Sequence, residues 1–123
     1  QRDLYHVMAE VVATPENAHK FRVIDDTKVK WIEDQIDDLS SKTQIPEDFI
    51  VPGDTSAGAA LAVARTVVRR AERRLAKLWL DGDVENQSLL RYLNRLSSLC
   101  FVLELIENNV AGRVDTTYAK AGE

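Results

Sequence analysis

Four stretches of the chain place apolar side chains at the three- and four-residue spacing of an amphipathic α-helix. They predict helices near residues 3–13, 25–43, 56–80 and 84–108. The apolar positions are Leu4, Val7, Met8, Val11 and Val12; Val29, Ile32, Ile36 and Leu39; Leu61, Ala64, Val68, Ala71, Leu75 and Leu78; and Leu89, Leu93, Leu96, Leu99, Val102, Leu103 and Ile106. No stretch has a convincing strand pattern. The chain is therefore predicted to be all-α, an antiparallel helix bundle in a single domain that spans residues 1–123.

The residues between these stretches indicate where the helices begin and end. Asp25 is the predicted N-cap of the second helix. Residues 40–55 are expected to form a loop, and the strand-like apolar island at 49–51 within it is expected to plug the end of the bundle. The last helix is predicted to stop before Gly112, which leaves residues 113–123 as a frayed tail.

Composition restricts the class of protein. At 123 residues, with 45% hydrophobic and 29% charged side chains, the chain is long enough for one core of its own. The single cysteine, Cys100, excludes an internal disulfide, and its apolar neighbours predict a buried, unreactive thiol. No membrane span or signal peptide is visible, so we expect a cytoplasmic protein, with an organelle matrix as the other possibility. Because Gln1 opens directly into a helical pattern, we also expect further residues upstream of it.

Charge is concentrated in the third helix. The whole chain has a net charge of -4, yet residues 65–77 carry Arg65, Arg69, Arg70, Arg73, Arg74 and Lys77 against Glu72 alone. At about 100° per residue, Arg65, Arg69 and Glu72 share one helix face. A compact positive band in an acidic protein indicates an anionic partner of limited size rather than nucleic acid, which usually needs a whole basic face. A merely solvated helix surface explains the same charges about equally well.

Two other polar features can be explained either by a structural role or by ligand binding. Asn94 lies within an apolar helix, so its amide needs either a neighbouring helix or a ligand as a hydrogen-bond partner. Asp34, Asp37 and Asp38 are interpreted as a solvated acidic face, because nothing supplies a closed set of metal ligands. No resident metal site is therefore predicted.

Two motifs of this chain resemble one enzyme family. They are F-I-V-P-G-D at residues 49–54 leading into A-R-T-V-V-R-R-A-E-R at 64–73, and Y-L-N-R-L-S at 92–97. Together they are similar to the motifs of PduO-type ATP:cob(I)alamin adenosyltransferases, and the resemblance extends over roughly residues 1–108. It implies trimers of five-helix subunits, with ATP and cobalamin bound between neighbouring subunits. It also implies the reaction, in which cob(I)alamin attacks C5′ of ATP, takes the 5′-deoxyadenosyl group and releases triphosphate.

The resemblance assigns roles to individual residues. It gives catalysis to Arg65, Arg69, Glu72 and Phe49, and substrate or cofactor binding to Arg69, Arg70, Glu72, Arg73, Asn94 and Phe49. The arginines would stabilise charge on the leaving triphosphate. Glu72 would hold an arginine or help to order Mg²⁺ and nucleotide, and Asn94 would contact the nucleotide. Phe49 would lie on the corrin side and help to exclude the lower axial ligand of cobalt. A corrinoid reductase and an adenosylcobalamin-dependent mutase are the further partners that the resemblance implies.

Three departures from the family pattern keep other functions open. Asp54 replaces a usual glycine, Ala62 replaces a usual histidine, and a T-G-D-x-G segment that wraps the triphosphate is absent. The alternatives are a non-catalytic member that binds corrinoid or nucleotide, and a helical interaction module with an acidic partner. Asp54, with Thr55 and Ser56, is a candidate N-cap of the third helix, and capping is favoured over a position facing the anion site.

Overall fold

The residues that the structure describes form an all-α bundle of four helices, as predicted. The structure is a computed structural model and describes residues 1–112 and 115–120. The helices are α1 (Arg2–Val12), α2 (Asp26–Ser40), α3 (Ser56–Asp81) and α4 (Gln87–Val110), and a short 3₁₀ turn at Ala18–Phe21 was not predicted. Every helix end lies within three residues of its predicted position. In the part of the chain that the structure describes, no helix combines the length and apolarity needed to cross a membrane.

Side-chain caps fix the beginnings of α2 and α3. The Asp25 carboxylate accepts a hydrogen bond of 3.0 Å from the Lys28 amide, which confirms the predicted cap. At α3 the cap is Thr55, whose Oγ1 accepts a hydrogen bond of 2.9 Å from the Gly58 amide. The prediction that Asp54 caps this helix is therefore wrong. The shorter Thr55 side chain lies at the cap position, while the Asp54 carboxylate accepts hydrogen bonds from the Thr117 amide (3.1 Å) and hydroxyl (2.7 Å).

Helix α4 is the centre of the bundle, packed against α3 on one side and α2 on the other. It contributes half of the buried apolar residues, which confirms the prediction that this helix is buried against more than one neighbour. Each α4 side chain that leaves water against the other helices adds roughly 1.5–3 kcal/mol of hydrophobic stabilisation. The buried apolar residues are Val7, Ile24, Val29, Ile32, Leu75, Val84, Leu89, Tyr92, Leu93, Cys100, Val102 and Leu105.

Helix α1 is fastened to the others by polar contacts. The Asp3 carboxylate accepts hydrogen bonds from the Lys28 ammonium group (3.0 Å) and the Tyr92 hydroxyl (2.9 Å). Burial alone would raise the pKa of Asp3, but these two bonds outweigh burial and lower that pKa below 3.8. Burial and the neighbouring Asp3 carboxylate raise the pKa of Tyr92. Asp3 therefore links α1 to both α2 and α4.

The end of the chain returns to the loop before α3. Tyr118 forms an isolated antiparallel bridge with Ile50, and backbone hydrogen bonds join Val51 to Thr117 (2.7 Å) and Ala119 to Phe49 (2.8 Å). The prediction of a frayed tail is therefore corrected for residues 115–120, because the apolar island at 49–51 offers them backbone hydrogen-bond partners. The rest of the predicted tail, 113–114 and 121–123, lies outside the described residues.

Candidate functional site

Helices α3 and α4 meet in a regular register. Gly58 lies against Asn108, since a Cβ added to this glycine would be 2.3 Å from Asn108 Oδ1. Seven residues further along α3, the Arg65 guanidinium carbon is 5.3 Å from the centre of the Phe101 ring. After another seven residues, Glu72 accepts a hydrogen bond from Asn94. The register of two antiparallel helices thus determines which motif residues meet.

The first group of motif residues surrounds the contact between Glu72 and Asn94. Asn94 Nδ2 donates to Glu72 Oε1 at 2.8 Å, and Asn94 Oδ1 accepts from Arg95 Nε (3.2 Å) and Nη2 (2.8 Å). Two adjoining cavities share Glu72, Leu90 and Asn94, and we call them together the Asn94 cleft. The smaller cavity has a volume of about 260 Å³ and is also lined by Arg69, Arg73 and Ala76. The larger cavity has a volume of about 380 Å³ and is also lined by Glu33, Arg91 and Arg95. The cleft therefore combines guanidinium groups with two carboxylates and an amide.

The second group lies at the next contact along the helices. A cavity of about 290 Å³, here called the Phe49 cavity, is lined by Phe49, Ile50, Arg65, Phe101 and residues 46–48. Phe49 is 86% exposed, so most of its ring surface is available for contact. Arg65 lies over the face of Phe101 at cation–π distance. This cavity combines two aromatic rings and one guanidinium group with two acidic residues of the loop at 46–48.

The structure separates some residues that the sequence analysis grouped. Arg65 lines the Phe49 cavity, whereas Arg69, predicted to bind the same triphosphate, lines the Asn94 cleft. Arg70 reaches neither cavity. It lines an apolar groove of about 380 Å³ between α1 and α3, the α1–α3 groove, together with Met8 and Arg74.

Six charged or aromatic residues of the Asn94 cleft and the Phe49 cavity were missed by the sequence analysis: Glu33, Glu47, Asp48, Arg91, Arg95 and Phe101. Arg91 lies one turn before Asn94 and one turn before Arg95, and Phe101 follows Asn94 by two helical turns on the same side. That spacing was the available signal for these three α4 residues. Nothing in the sequence indicates that Glu33 of α2 reaches the cleft.

Asp34, Asp37 and Asp38 of α2 are exposed, as expected. Asp34 pairs with Lys30 one turn earlier in the helix, and Asp38 pairs at 2.6 Å with Lys42, just beyond the end of the helix. Such pairs add a few tenths of a kcal/mol. Cys100 is buried, as predicted, and burial raises the pKa of its thiol.

Known proteins share this sequence over most of its length. The family profile for cobalamin adenosyltransferase matches residues 1–107. The chain is 36% identical over 112 residues to the corrinoid adenosyltransferase PduO of Salmonella typhimurium, covering 90% of this chain and 33% of that protein. It is 34% identical over 93 residues to the corrinoid adenosyltransferase of Bacillus subtilis, covering 76% and 48%. The chain thus spans about a third to a half of the length of these two relatives.

Solved structures share the fold. A variant PduO-type ATP:co(I)rrinoid adenosyltransferase from Lactobacillus reuteri, complexed with ATP, has a TM-score of 0.80 at 25% identity, covering 97% of this chain and 68% of that one. Another variant of the Lactobacillus reuteri enzyme, complexed with cobalamin and ATP, has a TM-score of 0.79 at 28% identity, covering 97% and 66%. Both motifs identified in the sequence lie inside the region that the family profile matches. The chain belongs to the cobalamin adenosyltransferase family.

Proposed function

We propose that this protein transfers the 5′-deoxyadenosyl group of ATP to cob(I)alamin, which forms adenosylcobalamin and releases triphosphate. The observation that carries the proposal is the hydrogen bond between Glu72 and Asn94, beside Arg69 and Arg73. It joins the two family motifs in one cleft, although the motifs lie on different helices. Relatives with this fold are complexed with ATP and with cobalamin, which supports the choice of substrates.

In this proposal the Asn94 cleft binds ATP. Arg69 and Arg73 stabilise the negative charge that builds on the triphosphate as its bond to C5′ breaks. Asn94, held between Glu72 and Arg95, is pre-oriented to contact the nucleotide. The Glu33 and Glu72 carboxylates are the oxygen ligands that Mg²⁺ prefers, so the cleft suits a nucleotide-bound Mg²⁺ ion. Arg70 is left out of the proposed site because it faces the α1–α3 groove.

The Phe49 cavity is proposed to bind the corrinoid. Cob(I)alamin is a strong nucleophile that attacks the C5′ carbon, and the electron pair of the broken C–O bond leaves with triphosphate. Phe49 and Phe101 offer apolar surface to the face of the corrin ring, and Phe49 excludes the lower axial ligand. Arg65 supplies a cation to the polar groups at the rim of the corrinoid.

The proposed active unit is a homotrimer with sites between subunits. Phe49 is 86% exposed, so a corrinoid held by one subunit alone would remain largely in water, and a neighbouring subunit would cover it. We also propose a reducing compartment, the cytoplasm or an organelle matrix, because a reductase must keep cobalt in the Co(I) state. An adenosylcobalamin-dependent mutase is the proposed recipient of the product.

Binding measurements with two variants test the assignment of the cavities. Calorimetry under anaerobic, reducing conditions should show that Asn94→Ala weakens ATP binding at least tenfold and leaves corrinoid binding unchanged. Phe49→Ala should do the reverse. If the protein binds both molecules as assigned but forms no adenosylcobalamin, the non-catalytic alternative replaces the enzyme. If it binds neither molecule, the enzyme and the non-catalytic binding protein are both excluded, and the helical interaction module is the alternative that is left.

A further inference from the structure

Glu104 of α4 is a buried charge that the proposed reaction does not use. Its side chain is among the largest in the protein that are fully enclosed, with 2% of the residue exposed. Its Oε1 atom is also the only fully buried side-chain oxygen or nitrogen in residues 1–112 and 115–120 that has no hydrogen-bond partner. A buried carboxylate in this state is costly, so it needs either a compensating cation or a function.

The register of α3 and α4 identifies what faces Glu104. Gly58 meets Asn108, and Arg65 meets Phe101, so the pair between them is Ala62 opposite Glu104. Ala62 has no atom that could donate a hydrogen bond to the carboxylate. Arg65, one turn further along α3, is the basic residue of the facing helix that lies closest to Ala62 in sequence.

Electrostatic coupling supports this placement. Burial raises the pKa of Glu104, the Arg65 charge opposes that rise, and Asp54 adds to it. The Arg65 charge also opposes the rise that burial causes in the pKa of the Cys100 thiol, and Cys100 lies one turn before Glu104. In residues 1–112 and 115–120, the Arg65 guanidinium group makes no hydrogen bond or direct ion pair, and it contacts the ring of Phe101. Glu104 therefore acts on Arg65 by electrostatic attraction at a distance, across the interface between α3 and α4.

We propose that Glu104 is a positioning residue for Arg65. Its buried carboxylate keeps the guanidinium group against Phe101, at the wall of the Phe49 cavity, instead of letting the long side chain swing into solvent. The part of this inference that concerns the corrinoid rests on the proposed function. The position of Arg65 itself does not depend on activity, so the two claims are tested separately.

The first test follows Arg65 without substrates. The Nε–Hε signal of Arg65 in a ¹⁵N NMR spectrum is assigned by its loss in Arg65→Ala. In Glu104→Gln, which removes the charge and keeps the shape, this signal should move to the position of exposed arginines. Glu104→Asp, which keeps the charge, should retain most of the wild-type shift. Glu107→Gln, an exposed position one turn later, is the matched control and should change nothing.

Stability separates positioning from a structural role. Glu104→Gln should not lower the melting temperature, since it removes a buried and poorly compensated charge. Glu104→Met, apolar and of similar volume, is the second neutral variant and should move the Arg65 signal in the same way. An Arg65 signal that stays at its wild-type position in a folded neutral variant overturns the proposal.

The second test uses the reaction. Glu104→Gln should raise the KM for corrinoid roughly fivefold or more and leave the KM for ATP unchanged. In an Arg65→Ala background, Glu104→Gln should have no further effect, because its target is already gone. Independent, additive effects of the two substitutions contradict positioning. If the wild-type protein makes no adenosylcobalamin, the proposed function fails, and the NMR result still decides whether Glu104 positions Arg65.

Discussion

At the scale of single residues, Asn94 illustrates how one amide can organise a site. It donates to Glu72 and accepts from Arg95, so both ends of its side chain are held before any ligand arrives. A contact that is already oriented loses little entropy when the nucleotide binds. Arg69 and Arg73 line the same cleft, and the proposed chemistry depends most on their charges.

Arg69 gives the sharpest test at this scale. Arg69→Ala should cut the rate of adenosyl transfer by about two to three orders of magnitude, because one electrostatic contact to a leaving group commonly contributes ~3–4 kcal/mol. Arg69→Lys should restore little of that rate, since lysine lacks the planar fork of donors. Single-turnover kinetics under anaerobic conditions measure the effect. Arg74→Ala, a loss of the same charge facing the α1–α3 groove, is the control, and equal losses in both variants would refute a specific role for Arg69.

Asp3 predicts how stability depends on pH. Its folded pKa lies below 3.8, so its contribution to stability is fully present above that pH and is lost as pH falls through the folded pKa. Asp3→Asn should lower the free energy of unfolding by about 1–2 kcal/mol at pH 7. The difference should shrink as pH falls through the folded pKa of Asp3, because the wild-type carboxyl group then becomes neutral as well. Urea unfolding at pH 7 and at a series of lower pH values measures it, and a gap that stays constant as pH falls contradicts the assignment.

Tyr92→Phe is the partner control for that experiment. It removes one of the two hydrogen bonds to Asp3 and should cost about 1 kcal/mol at pH 7. In the Asp3→Asn background the same change should cost less. Full additivity of the two substitutions would show that the Tyr92 hydroxyl does not act through Asp3.

At the scale of elements, the register of α3 against α4 decides which side chains can cooperate. The close approach of the helices at Gly58 fixes it, since a Cβ there would lie 2.3 Å from Oδ1 of Asn108 on α4. Asn108 cannot move freely out of the way, because it is buried and its Oδ1 accepts a 2.7 Å hydrogen bond from the Thr55 hydroxyl. One glycine at the end of the interface thereby aligns the motif residues further along it.

Gly58→Ala should therefore destabilise the protein. Alanine is favoured over glycine inside a helix by about 1 kcal/mol, yet here the new methyl group displaces the Asn108 amide. We expect a net loss of about 1–2 kcal/mol in the free energy of unfolding, measured by thermal or urea denaturation. The double variant Gly58→Ala with Asn108→Ala should recover part of that loss. A stabilised single variant contradicts the close approach.

The elements also show where sequence reasoning succeeds and where it stops. Periodic apolar residues suffice to predict all four helices, because burial of one face determines a helix in this fold. The pairing of Glu72 with Asn94 and the distance of Arg65 from the Asn94 cleft depend on the register, which periodicity does not encode. The bond from Asp54 to Thr117 joins residues 63 positions apart, so the local cap pattern favoured the wrong role for Asp54. The family motifs indicated the site residues, but only the fold shows which of them line the Asn94 cleft and which line the Phe49 cavity.

At the scale of the whole molecule, several apolar side chains remain in water. Phe49, Tyr5 and Met8 are each more than half exposed, as are Val12 and Val63. We expect copies of this 123-residue chain to associate with one another, because the α1–α3 groove is open and the Phe49 cavity is uncovered. We predict a trimer of this 13.8 kDa chain, which light scattering at micromolar concentration measures directly. A stable monomer that nevertheless transfers adenosyl groups would contradict shared sites between subunits.

The central claim is that a bond forms between cobalt and C5′ of ATP. The most direct measurement supplies ATP labelled with ¹³C at C5′, Mg²⁺ and cob(I)alamin to the protein under anaerobic, reducing conditions, and follows the label by NMR. The proposed function predicts that the ¹³C signal moves to that of a cobalt-bound methylene group, in step with the release of one triphosphate per corrinoid. The cobalt-bound signal should also disappear on exposure to light, which cleaves the cobalt–carbon bond. A label that stays in ATP while both substrates are bound, or triphosphate release without a cobalt-bound carbon, would contradict adenosyl transfer.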